Sequence, residues 1–293
     1  MTDVRPGDDA VTVVLCTRDR AELLHGAVAA IQAALRPGDE LVVVDSASVD
    51  GQAVAPAREA GARVVRAERP GLSRARNVGL AAAATPLIAF TDDDCRPAAD
   101  WIERLAAGFE DPAVGFVTGR VDADRTGRMA VSCMVDPEPR RHRLGDDPFA
   151  LGVGANMAVR ADAAAQVGGF DERLGAGAPL RAGEDVDLWW RLLQDGWEGR
   201  YRPDARVSHV QWRDGGAALR LSYGYGLGAG ALAAKAIRAR QPGGWALLAQ
   251  RLWADGLGRA GRDLRAGYQT GAAASALQAA GAAAGALRGF VRR

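Results

Sequence analysis

Three short runs of almost uninterrupted apolar residues do most to limit what this chain can become. They are Val11–Cys16 (VTVVLC), Glu40–Val44 (ELVVV) and Leu87–Thr91 (LIAFT). None shows the polar alternation of a half-exposed strand, so each reads as a strand buried on both faces. Between them lie segments with helical spacing, Ala21–Leu35, Ala53–Ala60 and Leu72–Ala84. Arg63–Arg66 reads as a further short strand, Trp101–Phe109 as a helix and Val114–Val121 as extended. Strands buried on both faces and separated by helix-length connections predict an α/β fold, a mostly parallel central sheet flanked by helices. With 48% hydrophobic and 25% charged residues over 293 positions, the chain can fill such a core.

The pattern changes after Val121. Asp122–Phe149 is polar and aperiodic, the character of a functional loop or lid. Met157–Val159 reads as a strand, Ala161–Val167 as a short helix, Asp185–Leu193 as a helix ended by Gly196, and Val207–Trp212 as an alternating strand. From Ala217 the chain is rich in Ala, Leu and Gly, with breaks near Pro242-Gly243-Gly244 and Thr270-Gly271, and Ala272–Ala286 is low in complexity. The expected division is a body, 1–214, and a C-terminal helical extension, 215–293.

Charge supports that division. Lys and Arg number 37 against 36 Asp and Glu, a net charge of +1, which excludes a dedicated nucleic-acid binder. From Ala231 onward ten basic residues meet only Asp255 and Asp263, so that stretch carries +8 and the rest −7. Three widely spaced cysteines allow no disulfide framework and no CxxC zinc pattern, pointing to a reducing compartment. The start, MTDVRPGDDAVTVV, has no signal-peptide core, and no run of about 18 strongly apolar residues occurs. The expected location is cytoplasmic, with the basic tail resting on the inner membrane face as one option.

Five clusters carry chemistry. Asp92-Asp93-Asp94 closes the run LIAFT. Adjacent carboxylates repel unless a cation lies among them, and hard divalent ions prefer oxygen ligands; a solvated turn or helix cap is the plain alternative. Gly183-Glu184-Asp185 opens the helix VDLWWRLL, where an acid is either a general base or a complement to the helix dipole. Trp189 shares the face of Asp185 and either walls a sugar or fills the core. His209 lies on one face with Val207 and Gln211, a candidate ligand or a satisfied strand histidine. Thr17-Arg18 and Asp45-Ser46 sit at strand ends, where open α/β sheets bind ligands. Asp45 can accept from a base N–H, which leans toward uridine or thymidine nucleotides. In Gly71-Leu72-Ser73-Arg74-Ala75-Arg76, a helix start and two arginines can meet a phosphate. Neither GxxxxGK[ST] nor GxGxxG occurs.

The order VTVVLCTRDR, VVVDSASVDG, GLSRARNVGL, LIAFTDDDCRP, GANMAVRADAAAQVGGFDE, GEDVDLWWRL resembles the family 2 glycosyltransferases of the GT-A fold, over roughly Val11 to Trp212. The resemblance implies an inverting hexosyltransferase-like enzyme that uses a nucleotide-sugar donor and a divalent cation, Mn²⁺ or Mg²⁺, with 1–214 as the catalytic domain. It implies Asp185 as catalytic base and Asp92, Asp94 and His209 as metal ligands. Thr17, Arg18, Asp45, Ser46, Arg74, Asp92 and Asp93 would contact the nucleotide sugar, and Glu184, Trp189 and Asn156 would lie on the acceptor side. The acceptor would be a sugar, a lipid-linked or a small molecule. No QxxRW block follows, which argues against a processive synthase. A nucleotide-sugar-binding module without turnover, a nucleotidyltransferase and a membrane-binding protein driven by the basic tail are the alternatives. In the tail, Leu248 and Leu252 share one face while Arg251, Asp255, Arg259 and Arg262 share another. That suits an interfacial helix, a helix packed on the body, or a homodimer contact.

Overall fold

The computed structural model describes residues 9–124 and 130–291. The expected lid, Asp122–Phe149, includes 125–129, which lie outside the described residues, as do residues 1–8 and the terminal Arg292 and Arg293. Two compact units are present. The first comprises the chain up to Phe170 together with Asp185–Gln211, and the second comprises Asp171–Glu184 and Trp212–Arg293. Asp171–Glu184 thus groups with the helical residues, although the sequence reading put it in the body.

The first unit is built on one sheet with nine strands among the described residues: β1 (Val11–Thr17), β2 (Glu40–Ser46), β3 (Arg63–Ala67), β4 (Leu87–Asp92), β5 (Cys95–Pro97), β6 (Val114–Ala123), β7 (Arg140–His142), β8 (Asn156–Arg160) and β9 (Glu198–His209). Their order is β3-β2-β1-β4-β8-β6-β9-β5, with β7 paired to β9. The first four strands run parallel, as the buried runs require. β8 is antiparallel to both β4 and β6, so the second half of the sheet is mixed.

Helices cover both faces. In α1 (Ala21–Ala34), Leu24, Ala27, Val28, Ile31 and Ala34 form a helical stripe buried in a core with Val13, Leu15 and Val43. The helix stops where Leu35 turns extended, and Gly38 follows with φ +94°. α2 (Ala55–Glu59) precedes β3, and α4 (Trp101–Ala106) adds Trp101, Ile102 and Leu105 to the same core. On the other face, Gly79 of α3 (Leu72–Ala82) lies so close to Val14 that a Cβ there would collide with its side chain. α5 (Ala161–Gln166) follows β8, and α6 (Glu184–Gln194) stacks Trp189 on Phe116 at 6.0 Å between ring centroids.

The sequence pattern does not predict β5, β7 or residues 198–206 of β9. β9 carries Pro203 and Asp204 where its register against β6 slips, Gly119 facing Arg202 and Arg120 facing Arg206. The bulge and outward-facing charges hide the period of two.

The second unit holds α7 (Gly215–Arg238), α8 (Gly244–Ala249), α9 (Arg259–Arg265) and α10 (Gln269–Val291). Asp214 caps α7 by accepting from Ala217 N at 2.6 Å. α7 and α10 pack backbone to backbone: a Cβ on Gly226 or Gly230 would collide with the Gln278 or Ala282 carbonyl, and one on Gly281 or Gly285 with those of Tyr223 or Leu227. Gln250–Gly258 winds as a π-helix. Arg251 and Asp255, expected on one face, pair at 3.0 Å, while Trp253 and Leu257 are exposed. Among the described residues no helix is long and apolar enough to cross a membrane.

Candidate active site

The parallel strands deliver several of the expected residues to one edge. Register sets Cys16 of β1 opposite Asp92 of β4, and Thr17 opposite Asp45 of β2. These are carboxyl ends of adjacent strands, where side chains and loops can surround a ligand without breaking the ladder. The antiparallel pairing of β5 with β9 sets Cys95 opposite His209. That pairing brings a histidine more than a hundred residues downstream against the carboxylates.

Asp93 and Asp94 are buried, and Asp92 is about a third exposed at its side chain (32%). Each has a cationic neighbour. Arg76 Nη2 lies 3.3 Å from Asp92 Oδ1, Arg20 Nη1 lies 3.1 Å from Asp93 Oδ1, and His209 Nε2 lies 3.3 Å from Asp94 Oδ1. The Thr17 hydroxyl donates to Asp93 Oδ2 at 2.7 Å. Burial pushes the Asp93 carboxyl up to about 6, with Arg20 opposing and the neighbouring Asp94 adding to the rise. Burial pulls the His209 imidazole down, but the Asp94 carboxylate, assisted by Cys133 and Asp92, outweighs it and raises it to about 10.

Arg76 is 2% exposed and holds the site together. Besides Asp92, its Nη2 donates to the Gly154 carbonyl at 3.2 Å, and its guanidinium lies 5.5 Å from the Phe170 ring centroid. The Gly154 N–H in turn donates to Asp185 Oδ2 at 2.8 Å, and Val186 N–H donates to Asp185 Oδ1 at 2.8 Å. One arginine and the main chain of one residue, Gly154, therefore join the strand-end carboxylates to Asp185. Gly154 is required by contact: a Cβ there would lie 2.6 Å from Asp185 Oδ2.

Arg74 and Arg18 are not in this cluster. Arg74 donates back to the Pro70 carbonyl at 3.1 Å, and Arg18 is exposed with Asp19 at 3.6 Å. Arg76 and Arg20, two positions further on in each case, meet the carboxylates instead. No local pattern separates Arg76 from Arg74: Ser73, Arg76 and Gly79 share one helical face, and the packing of Gly79 on Val14 turns that face to the sheet. Asn156 and Trp189 do not fit an acceptor surface. Asn156 is fully buried, accepting from Trp101 Nε1 at 2.8 Å and donating to the Arg120 and Ala205 carbonyls at 2.9 and 2.8 Å. Trp189 is fully buried against Phe116. Both serve packing, because neither presents an atom to solvent. Glu184 is buried at the start of α6 and groups with the second unit.

Asp45 pairs with Arg66 and accepts from Ser48 N at 2.9 Å, while the Ser46 hydroxyl accepts from Gly71 N at 3.2 Å. These contacts bring β2, β3 and the start of α3 to the same edge as Thr17.

Among the described residues Asp94, Cys95 and His209 offer ligand atoms within 4.8 Å of one another. Carboxylate oxygen suits Mn²⁺ or Mg²⁺, and imidazole nitrogen beside it fits the softer Mn²⁺ better than Mg²⁺. Cys95 suits neither, since sulfur is a soft ligand; burial holds its thiol well above its ordinary value. Asp92, expected as a ligand, lies outside this group and is engaged by Arg76.

The family model for glycosyl transferase family 2 matches residues 12–168, which span the parallel strands and the three aspartates. The chain belongs to glycosyl transferase family 2. A pre-mycofactocin glycosyltransferase of Mycobacterium tuberculosis is 32% identical over 222 residues, 71% of this family 2 chain. The match covers 45% of that relative, so the chain spans about half its length. Solved structures share the fold. A mannosyltransferase from Pyrobaculum calidifontis, in complex with GDP-Man and Mn²⁺, superposes with a TM-score of 0.62 at 20% identity, covering 94% of this chain and 86% of that one. S. aureus TarS in complex with UDP-GlcNAc gives 0.57 at 15% identity, covering 74% and 66%. The central sheet flanked by helices is thus the GT-A architecture expected from the six sequence blocks.

Proposed function

We propose that this family 2 member transfers a sugar from a nucleoside-diphosphate sugar to an acceptor hydroxyl with inversion at the anomeric carbon, Asp185 acting as the base. The observation that carries the reading is the connection from Asp92 through Arg76 and Gly154 to Asp185. It supports a single site with a charged donor end and a proton acceptor.

Asp185 takes the acceptor's hydroxyl proton as that oxygen attacks the anomeric carbon. The new C–O bond forms on the face opposite the leaving group, and the bond to the phosphate oxygen breaks with its electron pair leaving on the nucleoside diphosphate. Arg20 and Arg76 keep positive charge beside the departing diphosphate. Thr17, Asp45 and Ser46 border the nucleoside, and Asp45 favours a base that offers an N–H, uracil or thymine. Asp94 and His209, with Asp92 adjacent, are the residues that would hold a divalent cation. Such a cation supplies charge neutralisation to the leaving diphosphate when bound.

The test is turnover of nucleotide sugars, read as nucleoside diphosphate release, alongside thermal shifts with nucleoside diphosphates and Mn²⁺ or Mg²⁺. Asp185→Asn should abolish turnover and keep the metal-dependent nucleotide shift. Full activity in that variant overturns Asp185 as base, and release of pyrophosphate instead assigns the chain as a nucleotidyltransferase.

A further inference from the structure

The helical unit contains a second feature built for a ligand. A cavity of about 360 Å³ is lined by Asp171, Arg173, Leu174, Pro179 and Leu180, the end of α7 and the end of α10. Its polar wall carries Arg173, Lys235, Arg238 and Arg288 against one carboxylate, Asp171, and Leu174, Leu180 and Leu232 supply apolar lining. Asp171 is already saturated. Arg173 donates to it at 2.9 and 2.6 Å, and Lys235 lies at 3.2 Å. Burial would raise the Asp171 carboxyl, but these cations hold it well below the usual carboxylate range. The lining thus carries four cations and one carboxylate, and exposed Arg288 has no carboxylate partner among the described residues. An anion inside the cavity would meet Arg288 and the other cations of the lining.

The residues flanking this wall identify the kind of anion. Arg288 and Gly289 line the cavity, while Leu287, Phe290 and Val291 beside them in α10 are 68%, 40% and 81% exposed. Trp245, 68% exposed, stacks on Phe290 at 6.3 Å between centroids. Trp253, Leu257, Leu264 and Tyr268 are also exposed in this unit, among Arg259, Arg262 and Arg265. Exposed Trp, Tyr and aliphatic side chains interspersed with arginine are the residue types that enter a lipid headgroup layer. A soluble anion explains the cations and leaves these apolar groups in water. A lipid phosphate satisfies both.

We propose that the helical unit rests on an anionic bilayer and takes one lipid phosphate into the Arg173–Lys235–Arg238–Arg288 cavity, with Trp245, Phe290 and their neighbours entering the headgroup layer. The inference stands on the second unit alone and does not depend on the donor-site reading. It is tested by co-sedimentation of the full chain with phosphatidylcholine vesicles with and without phosphatidylglycerol. Binding should require phosphatidylglycerol and weaken with salt. Arg288→Glu should lower it about tenfold or more. Arg288→Lys should retain it, and Trp245→Ser with Phe290→Ser should reduce it. Arg58→Glu, the same charge change on an exposed helix of the sheet unit, should leave it intact. Vesicle binding unaffected by Arg288→Glu overturns the cavity assignment. Calorimetric binding of inorganic phosphate without vesicle binding overturns the lipid, and binding to neither overturns the proposal.

Discussion

The two units of this chain solve packing in opposite ways. In the sheet unit, Val13, Leu15, Phe90 and Trp101 fill space, and the core is stable because large apolar side chains leave water. In the helical unit, Gly226, Gly230, Gly281 and Gly285 remove side chains so that α7 and α10 approach through their backbones. There dispersion between closely packed main chains replaces bulk burial. The sheet unit should therefore be sensitive to lost volume and the helical unit to added volume.

The largest expected effect follows from the first half of that contrast. Phe90→Ala, emptying a fully buried site, should cost about 3–5 kcal/mol in denaturant unfolding. The second half predicts that Gly230→Val costs about 1–3 kcal/mol, since the Ala282 carbonyl it would meet belongs to a helix and cannot rotate aside. If Gly230→Val unfolds with unchanged stability, the backbone contact is not what holds these helices. Gly154→Ala transfers the same logic to the site. Its Cβ would press on Asp185, and turnover should fall about a hundredfold with nucleotide binding retained.

A smaller effect concerns pH. The His209 pKa is raised from 6.5 to about 10, so in chelator-treated protein its contribution to stability is complete below pH 6.5 and is lost as pH rises to about 10. Melting temperature should decline across that window, and His209→Gln should remove the decline. Added Mn²⁺ should flatten it too, because the metal replaces the proton. Asp93 acts with the same slope at lower pH: its carboxyl is raised from 3.8 to about 6, so stability falls as pH rises between those values. Smallest of all, Trp253→Ala should change stability in solution by under about 0.5 kcal/mol, because the side chain is 63% exposed.

Much of the sheet was readable in the chain. β1, β2 and β4 coincide with the three apolar runs to within two residues, because a strand buried on both faces is filled mostly by apolar side chains, the polar ones gathering towards its ends. β7 and the first half of β9 were not readable, since they carry charge and a bulge and take their conformation from pairing partners. At the site, the aspartate triplet and Asp185 stood out as local patterns. The choice of arginine did not. Arg74 and Arg76 differ by two positions, and only the seating of α3 on β1 decides which one turns inward. Asn156 sits in a motif that resembles an acceptor wall, yet its amide is consumed by Trp101 and two carbonyls brought from β6 and β9.

The amino-acid order by itself determined the α/β class, the family resemblance, the carboxylate cluster and the division of charge between body and tail. Those properties depend on local periodicity and on residues adjacent in sequence, which need no partner to be legible. Tertiary structure alone decided the mixed half of the sheet, the placing of His209 against Asp94, the route through Arg76 and Gly154, and the cavity walled by Arg173 and Arg288. Each joins residues tens to hundreds of positions apart, where strand register and helix seating, rather than any local preference, set which groups meet.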